Sequence, residues 1–440
     1  MSVIHSPSPA RRPAGQPRFD PWVGIAFVYP LSQLIVFEVV GQLYLTDLLG
    51  LLLLGFMAKS PDFIERLSQL KLLFALMGLW LASLIVTDLI RQTPPEDFLR
   101  GWAKIMFFGI QIAALWLFLP RRRAYLVAFA FGAAIAWGFG IPERFAGYEW
   151  KFGYDRAAAF SLIGVICLLT PRFPVMRTIS PVLLGILAFA VMFQNARSSF
   201  ITILLAAGVC GAVIAIERWP ALQRSIRAPF FALLLIMGAV GAGLISAGYG
   251  SLAGSGALGE EAKYKYDIQT AGNVPLLLGG RSESLISARA ISDSPVIGHG
   301  SWAKDRRYVE LYRSLRLRLG MPVHDNYFFT RELIPTHSYI LGAWVEAGVI
   351  GAIFWLYVLC LPAVAVYRLL RRRERMLPLV AYLAMGLMWA VPFSPFGSTE
   401  RFIVAFQLVA LFWVIRSPDT AAEYRPGQLG RNDARAMLAR

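Results

Sequence analysis

The sequence predicts an all-α polytopic membrane protein, with about twelve transmembrane helices and one large extracytoplasmic loop containing short helices. Three observations predict it. Hydrophobic residues make up 57% and charged residues 16% of the chain, against roughly 45–50% and 25% in soluble domains. Apolar runs near the ~20 residues that cross a bilayer recur from end to end, and lipid forces each to pair its backbone groups within a helix. A single long polar block, residues 248–336, interrupts them.

Residues 1–21, with Pro7, Pro9, Arg11, Arg12 and Pro13, read as a disordered basic tail. No small-residue cleavage site follows it, so it is not read as a signal peptide. The first nine spans lie within 22–247, at about 22–40, 43–58, 71–90, 102–119, 124–141, 157–171, 178–195, 199–216 and 228–247. The large loop occupies 248–336. The last three spans follow within 337–415, at about 337–360, 377–391 and 402–415, and 416–440 form a second tail.

The basic residues give the orientation. With the N-terminus in the cytoplasm, the inner loops hold Lys59, Arg66 and Lys71; Arg121, Arg122 and Arg123; Arg172 and Arg177; Arg218, Arg224 and Arg227; and Arg368, Arg371, Arg372, Arg373 and Arg375. The short outer loops hold far fewer, as the positive-inside rule requires. Both termini then face the cytoplasm of a bacterial inner membrane and the large loop faces outward. The net charge of +16 is a topology signal and an attraction to anionic lipid, not a nucleic-acid footprint. Cys167, Cys210 and Cys360 all fall in predicted spans, so no disulfide is expected, and no Cys/His cluster has metal-ligand spacing.

Within the loop, Ser282 to Ser292 reads as a helix, ended by Asp293-Ser294-Pro295, and Val296 to Gly300 as a tight turn. From Trp302 to Leu319, Tyr308, Leu311, Tyr312, Leu315 and Leu319 recur at helical spacing, with Arg306, Arg307, Arg313, Arg316 and Arg318 between them. That pattern suits an amphipathic helix on the outer membrane surface, holding phosphate or lipid headgroups, or simply a solvated loop helix.

His337 stands where the polar block meets a very apolar run, so a water-soluble and a lipid-borne reactant can meet there. The run His337-Ser338, nine residues, Gly348, two residues, Gly351 resembles the pattern of bacterial O-antigen ligases and related O-antigen and exopolysaccharide polymerases. Asn195-Ala196-Arg197-Ser198-Ser199, at the outer end of a span, is similar to that family's arginine segment. Gly280-Arg281, followed by Ser294 to Gly300, is similar to its loop signature, although Leu285 stands where an aromatic residue is usual.

The resemblance implies a glycan transferase. Its donor is a glycan on a polyprenyl diphosphate, and its acceptor is a hydroxyl of lipid A-core in a ligase or of another lipid-linked glycan in a polymerase. Neither metal nor cofactor is implied; other polysaccharide-assembly proteins would be partners. Arginine binds diphosphate oxygens with paired hydrogen bonds and stays charged, which points to Arg197 and Arg281, with Arg289 as a third. His337 is the expected base, because a neutral imidazole accepts a proton near pH 7. His324, beside Asp325, is a secondary candidate, whereas His299 in its glycine turn reads as structural. Glu346, roughly 13 Å below His337 at 1.5 Å per residue, lines the acceptor path or belongs to a buried pair. A transporter of lipid-linked glycans is the competing class; few mid-membrane charges and no matched broken helices weigh against it.

Overall fold

The computed structural model describes residues 20–194, 196–219, 221, 248, 250–270, 281–321, 323 and 327–417. They form a bundle of helices: α1 (Pro21–Leu31), α2 (Leu45–Met57), α3 (Phe63–Ser68), α4 (Lys71–Arg91), α5 (Pro95–Phe118), α6 (Arg123–Phe139), α7 (Asp155–Leu169), α8 (Val175–Phe193), α9 (Arg197–Glu217), α10 (Glu260–Thr270), α11 (Glu283–Asp293), α12 (Arg306–Arg318), α13 (Tyr327–Arg331), α14 (Tyr339–Ala347), α15 (Val349–Arg371), α16 (Leu377–Phe393) and α17 (Arg401–Arg416). A two-stranded antiparallel hairpin, β1 (Val36–Glu38) and β2 (Gln42–Tyr44), lies between α1 and α2.

Seven described helices are long and apolar enough to cross a bilayer, and α2, α6 and α16 are shorter apolar helices. The predicted span at 228–247 lies outside the described residues. Helix α17 is the axis: 72% of its apolar window is buried, against 33% in α4 and α8 at the rim. Leu52, Leu79, Leu89, Val182, Ile186 and Phe193 point outward from the bundle. Lipid, not water, suits such a surface.

Ion pairs tie the helix ends together at both faces of the bundle. At one, Arg122 pairs with Asp20, Arg121 with Asp62, Arg177 with Glu217 and Arg123 with Glu374. At the other lie the hairpin, the 140–154 segment, the large loop and the start of α17. Arg401 there forms a buried pair with Asp47, which also accepts from Gln111 at 2.5 Å. Arg401 also donates to the Gln42 carbonyl at 3.2 Å, holding the hairpin against the bundle.

Two predicted spans need correction. The run at 22–40 is helical only to Leu31, with one 3₁₀ turn to Leu34, and then becomes β1. Val36, Phe37, Val39 and Val40 are apolar but favour extended backbone, so hydropathy alone read them as span. The run at 337–360 is two helices, α14 and α15, broken at Gly348, whose φ of 69° and ψ of −165° only glycine adopts readily.

That break is gripped by the loop turn. His299 N donates to the Val345 carbonyl at 2.7 Å, Gly300 N to Glu346 at 3.0 Å, and Val349 N to Pro295 at 3.0 Å. The Trp344 indole donates to the Pro295 carbonyl at 2.8 Å, while Arg91 on α4 holds the Gly298 carbonyl at 2.8 and 3.0 Å. A Cβ on Gly348 would lie 1.8 Å from the Val296 carbonyl oxygen. Gly348→Ala is therefore expected to lower membrane abundance and the melting temperature in detergent sharply, since backbone strain alone costs about 1–3 kcal/mol and the clash is with main chain. Wild-type abundance and melting in that variant would refute the grip.

Candidate functional site at the loop–bundle junction

The chain enters the site as an extended segment. Leu333 pairs with Lys304 as an isolated bridge, Ile334 N donates to the Ala303 carbonyl at 2.9 Å, and Ser287 Oγ of α11 donates to the Pro335 carbonyl at 2.7 Å. Ser338 then caps α14: its Oγ accepts from Leu341 N at 3.2 Å and donates to the Val391 carbonyl of α16 at 3.1 Å. Serine is a preferred cap because it satisfies an otherwise orphaned helix N–H. Tyr339 is buried against Trp355 and Phe396, with ring centroids 4.7 and 5.2 Å away. His337 is thus fixed between a tether two residues before it and a cap one residue after it.

His337 is half-buried, and its pKa is pushed down to about 4. Burial is the main cause, because a charged imidazole loses its hydration. The nearby cations Arg281 and Lys151 push the same way, and Glu283 opposes them. A pKa lowered in this way leaves the ring neutral, and so able to accept a proton, at neutral pH.

The tether from Ser287 brings the start of α11, and with it Arg281 and Glu283, to this histidine. Arg281 is half-buried. Burial pulls its pKa below the ordinary value and Glu283 opposes that, but a guanidinium remains charged in either case. Lys151 arrives from the segment before α7, where Phe145 and Phe152 stack at 3.8 Å and Lys151 lies over the Phe152 ring.

A second cationic group lies at the outer ends of α7 and α9. Arg197 opens α9 and is half-buried, and Ser199 two residues on donates to Asp155. The adjacent Arg156 stacks on Trp137 at 4.1 Å, pairs with Glu400 at 3.4 Å and lies within electrostatic reach of Tyr339. Arg281 acts on His337 directly, whereas Arg197 stands at the start of the helix whose Ser199 holds Asp155 beside Arg156.

Other sequence candidates fall elsewhere. Arg289 lies on the outward face of α11, 65% exposed, and pairs with Asp293 at 3.1 Å; the helix turns it away from the face that Ser287 fastens to Pro335. Glu346 forms the largely buried pair that was one of its two expected roles. It pairs with Lys104 of α5 at 2.7 Å and accepts from Trp302 N at 3.3 Å, just before the break at Gly348. His299 is structural: its Nε2 lies 2.8 Å from the Ala290 carbonyl. His324 lies outside the described residues. In α12, Tyr308, Val309 and Tyr312 pack on the loop core, while Arg306, Arg307 and Arg313 pair locally with Glu310 and Asp305.

Lys151, Arg156 and Glu283 carry no sequence signal of their own. Only the aromatic setting of Lys151, between Tyr148 and Tyr154, offered a hint.

Residues 182–356 match the Wzy_C family model, described as O-Antigen ligase. No curated protein and no solved structure matches the chain. The matched stretch contains Arg197, Arg281, His337 and the turn that grips Gly348. With seven helices apolar enough to cross a bilayer, it marks a multi-pass membrane protein of polysaccharide biosynthesis.

Proposed function

We propose that the chain transfers a glycan from a polyprenyl diphosphate carrier to a hydroxyl on a second, membrane-anchored glycan, at the extracytoplasmic face of the bacterial inner membrane. The observation that carries this reading is the convergence on one neutral, half-buried histidine of Arg281 and Lys151. The cations receive the diphosphate, whose negative charge grows as the glycosidic bond breaks. Positioned donors aimed at developing charge are usually the largest catalytic contribution. Arg197 and Arg156 extend this cationic wall towards the bundle. His337 takes the proton of the acceptor hydroxyl as that oxygen bonds to the sugar carbon, and the diphosphate leaves with the bonding electrons.

The electrostatics couple the two halves of the reaction. Arg281 and Lys151 depress the basicity of His337 in the free protein. A bound diphosphate offsets their charge, so the imidazole becomes a stronger base once the donor is seated.

Purified protein supplied with a polyprenyl-diphosphate glycan tests this reading. Transfer to lipid A-core identifies a ligase; elongation of a second lipid-linked glycan identifies a polymerase. The single large loop favours the ligase. Transport of intact donor across vesicles, with transfer to neither acceptor, would replace the reading by the transporter.

The orientation is tested separately. A reporter fused after Gly259 is expected outside the cytoplasmic membrane and one after Arg373 inside. The reverse result would remove the site from the face where its acceptor is proposed to lie.

A further inference from the structure

A cavity of about 440 Å³ opens beside the site, between the start of α5 and the segment leading to His337. Small-ligand sites span about 300–1,000 Å³. Its charged lining is Asp97, Arg100, Lys304, Arg331 and Glu332, with the rings of Trp302 and Phe329 between them. None of these belongs to the cluster around His337.

Three observations mark it as more than a surface hollow. First, a buried polar atom of its lining, Trp302 Nε1, has no hydrogen-bond partner among the described residues, whereas Asp97 beside it is paired with Arg100 at 3.8 Å and with Lys304. Leaving a buried indole donor unpaired is costly. Second, Trp302 and Glu332 have φ of 50° and 53°, and they are two of only three described non-glycine residues with positive φ. Backbone strain of this kind persists where the surrounding structure enforces it, and it gathers at binding sites. Third, the enforcing contacts are visible. Arg100 lies over the Trp302 ring at 5.8 Å, Lys304 pairs with Asp97 at 2.6 Å, and Asp305 N donates to the Glu332 carbonyl at 3.0 Å.

The lining alternates in sign, with three cations and two carboxylates. A purely anionic ligand would meet Asp97 and Glu332, and a lipid tail would meet five charges. A saccharide suits the mixture, because every hydroxyl both donates and accepts. The position suits it too. Leu333, at the cavity wall, and His337 are four residues apart along the extended segment, at most about 14 Å.

We propose that this cavity is a glycan subsite, which holds sugar units of the donor or acceptor at a short distance from the reacting end. The assignment rests on the glycan-transferase reading for its consequence in turnover, but not for binding itself.

The test uses the full-length protein in detergent and two lipid-free probes prepared by mild acid from the host's own lipopolysaccharide, the core oligosaccharide and the O-chain. Calorimetry or saturation-transfer NMR is expected to show wild type binding one of them. Trp302→Phe, which keeps a ring but deletes the indole N–H, and Glu332→Gln are each expected to weaken binding about tenfold, with melting unchanged. His337→Ala is expected to bind as wild type. In turnover, the two cavity variants are expected to raise KM for the probe's parent substrate and leave kcat near normal. The substrate whose KM rises identifies the glycan as donor or acceptor.

Wild-type protein that binds neither probe would overturn the assignment, and so would wild-type affinity in both cavity variants. Binding lost in those variants, in a protein that transfers no glycan, would uphold the subsite and reject the transferase.

Discussion

His337→Ala is expected to lower turnover by about 10²–10⁴-fold, the usual contribution of a general base, while leaving affinity for the lipid diphosphate donor near normal. The split follows from the geometry. The cations around the donor site come from the start of α11 and from the segment before α7, whereas His337 is fixed by its own tether and cap. The fold should survive, because Ser338 and Tyr339, not His337, carry the cap and the buried packing. Transfer assays with purified protein, paired with donor-binding measurements, check both halves. Near-normal transfer by the variant would reduce His337 to a residue that positions the acceptor.

Arg281→Ala is expected to lower donor affinity and turnover together. Loss of a cation from the diphosphate site weakens donor binding and also removes a partner of the charge that develops on the leaving group. Deleting one such positioned donor typically costs about 10²–10³ in kcat. Lysine at the same position is expected to restore only part of that, because it keeps the charge but loses the paired donors. The substitution also removes a cation that depresses His337, so its acid limb should move up in pH even as activity falls. Full activity in Arg281→Ala would exclude the diphosphate role.

Much of this arrangement is legible in the sequence because hydropathy and charge act locally. The apolar runs, the basic face and the polar loop all follow from composition over short windows. The loop helix expected over Ser282 to Ser292 is found at Glu283–Asp293, and the turn at Val296 to Gly300 is present with Gly298 and Gly300 at φ of 83° and 91°. What hydropathy cannot read is a change of backbone within an apolar run. Val36 to Val40 is as apolar as a span yet forms a hairpin edge. The 337–360 run carries its interruption in Gly348 alone, and that glycine's role depends on Val296, far away in sequence.

The site divides in the same way. His337 and Arg281 are recognisable because each lies in a patterned segment. Glu283 and Lys151 are not, because only the folded chain brings them to His337. Arg289 and Glu346 resemble site residues in type, but helix phase turns one outward and the other is taken up by its pair with Lys104.

The central claim is that a neutral His337 is the base and that the bound diphosphate tunes it. The most direct test is the pH dependence of transfer in the acid range. The profile of kcat/KM reports the free protein and that of kcat the donor complex. A folded-state pKa lowered to about 4 places the acid limb of kcat/KM near pH 4, with activity present above it and lost below. In kcat, the limb should lie higher, towards the ordinary histidine value of about 6.5, because the diphosphate offsets Arg281 and Lys151. Both limbs should vanish from the residual activity of His337→Ala. A profile with no acid limb, or one retained by that variant, would contradict the account.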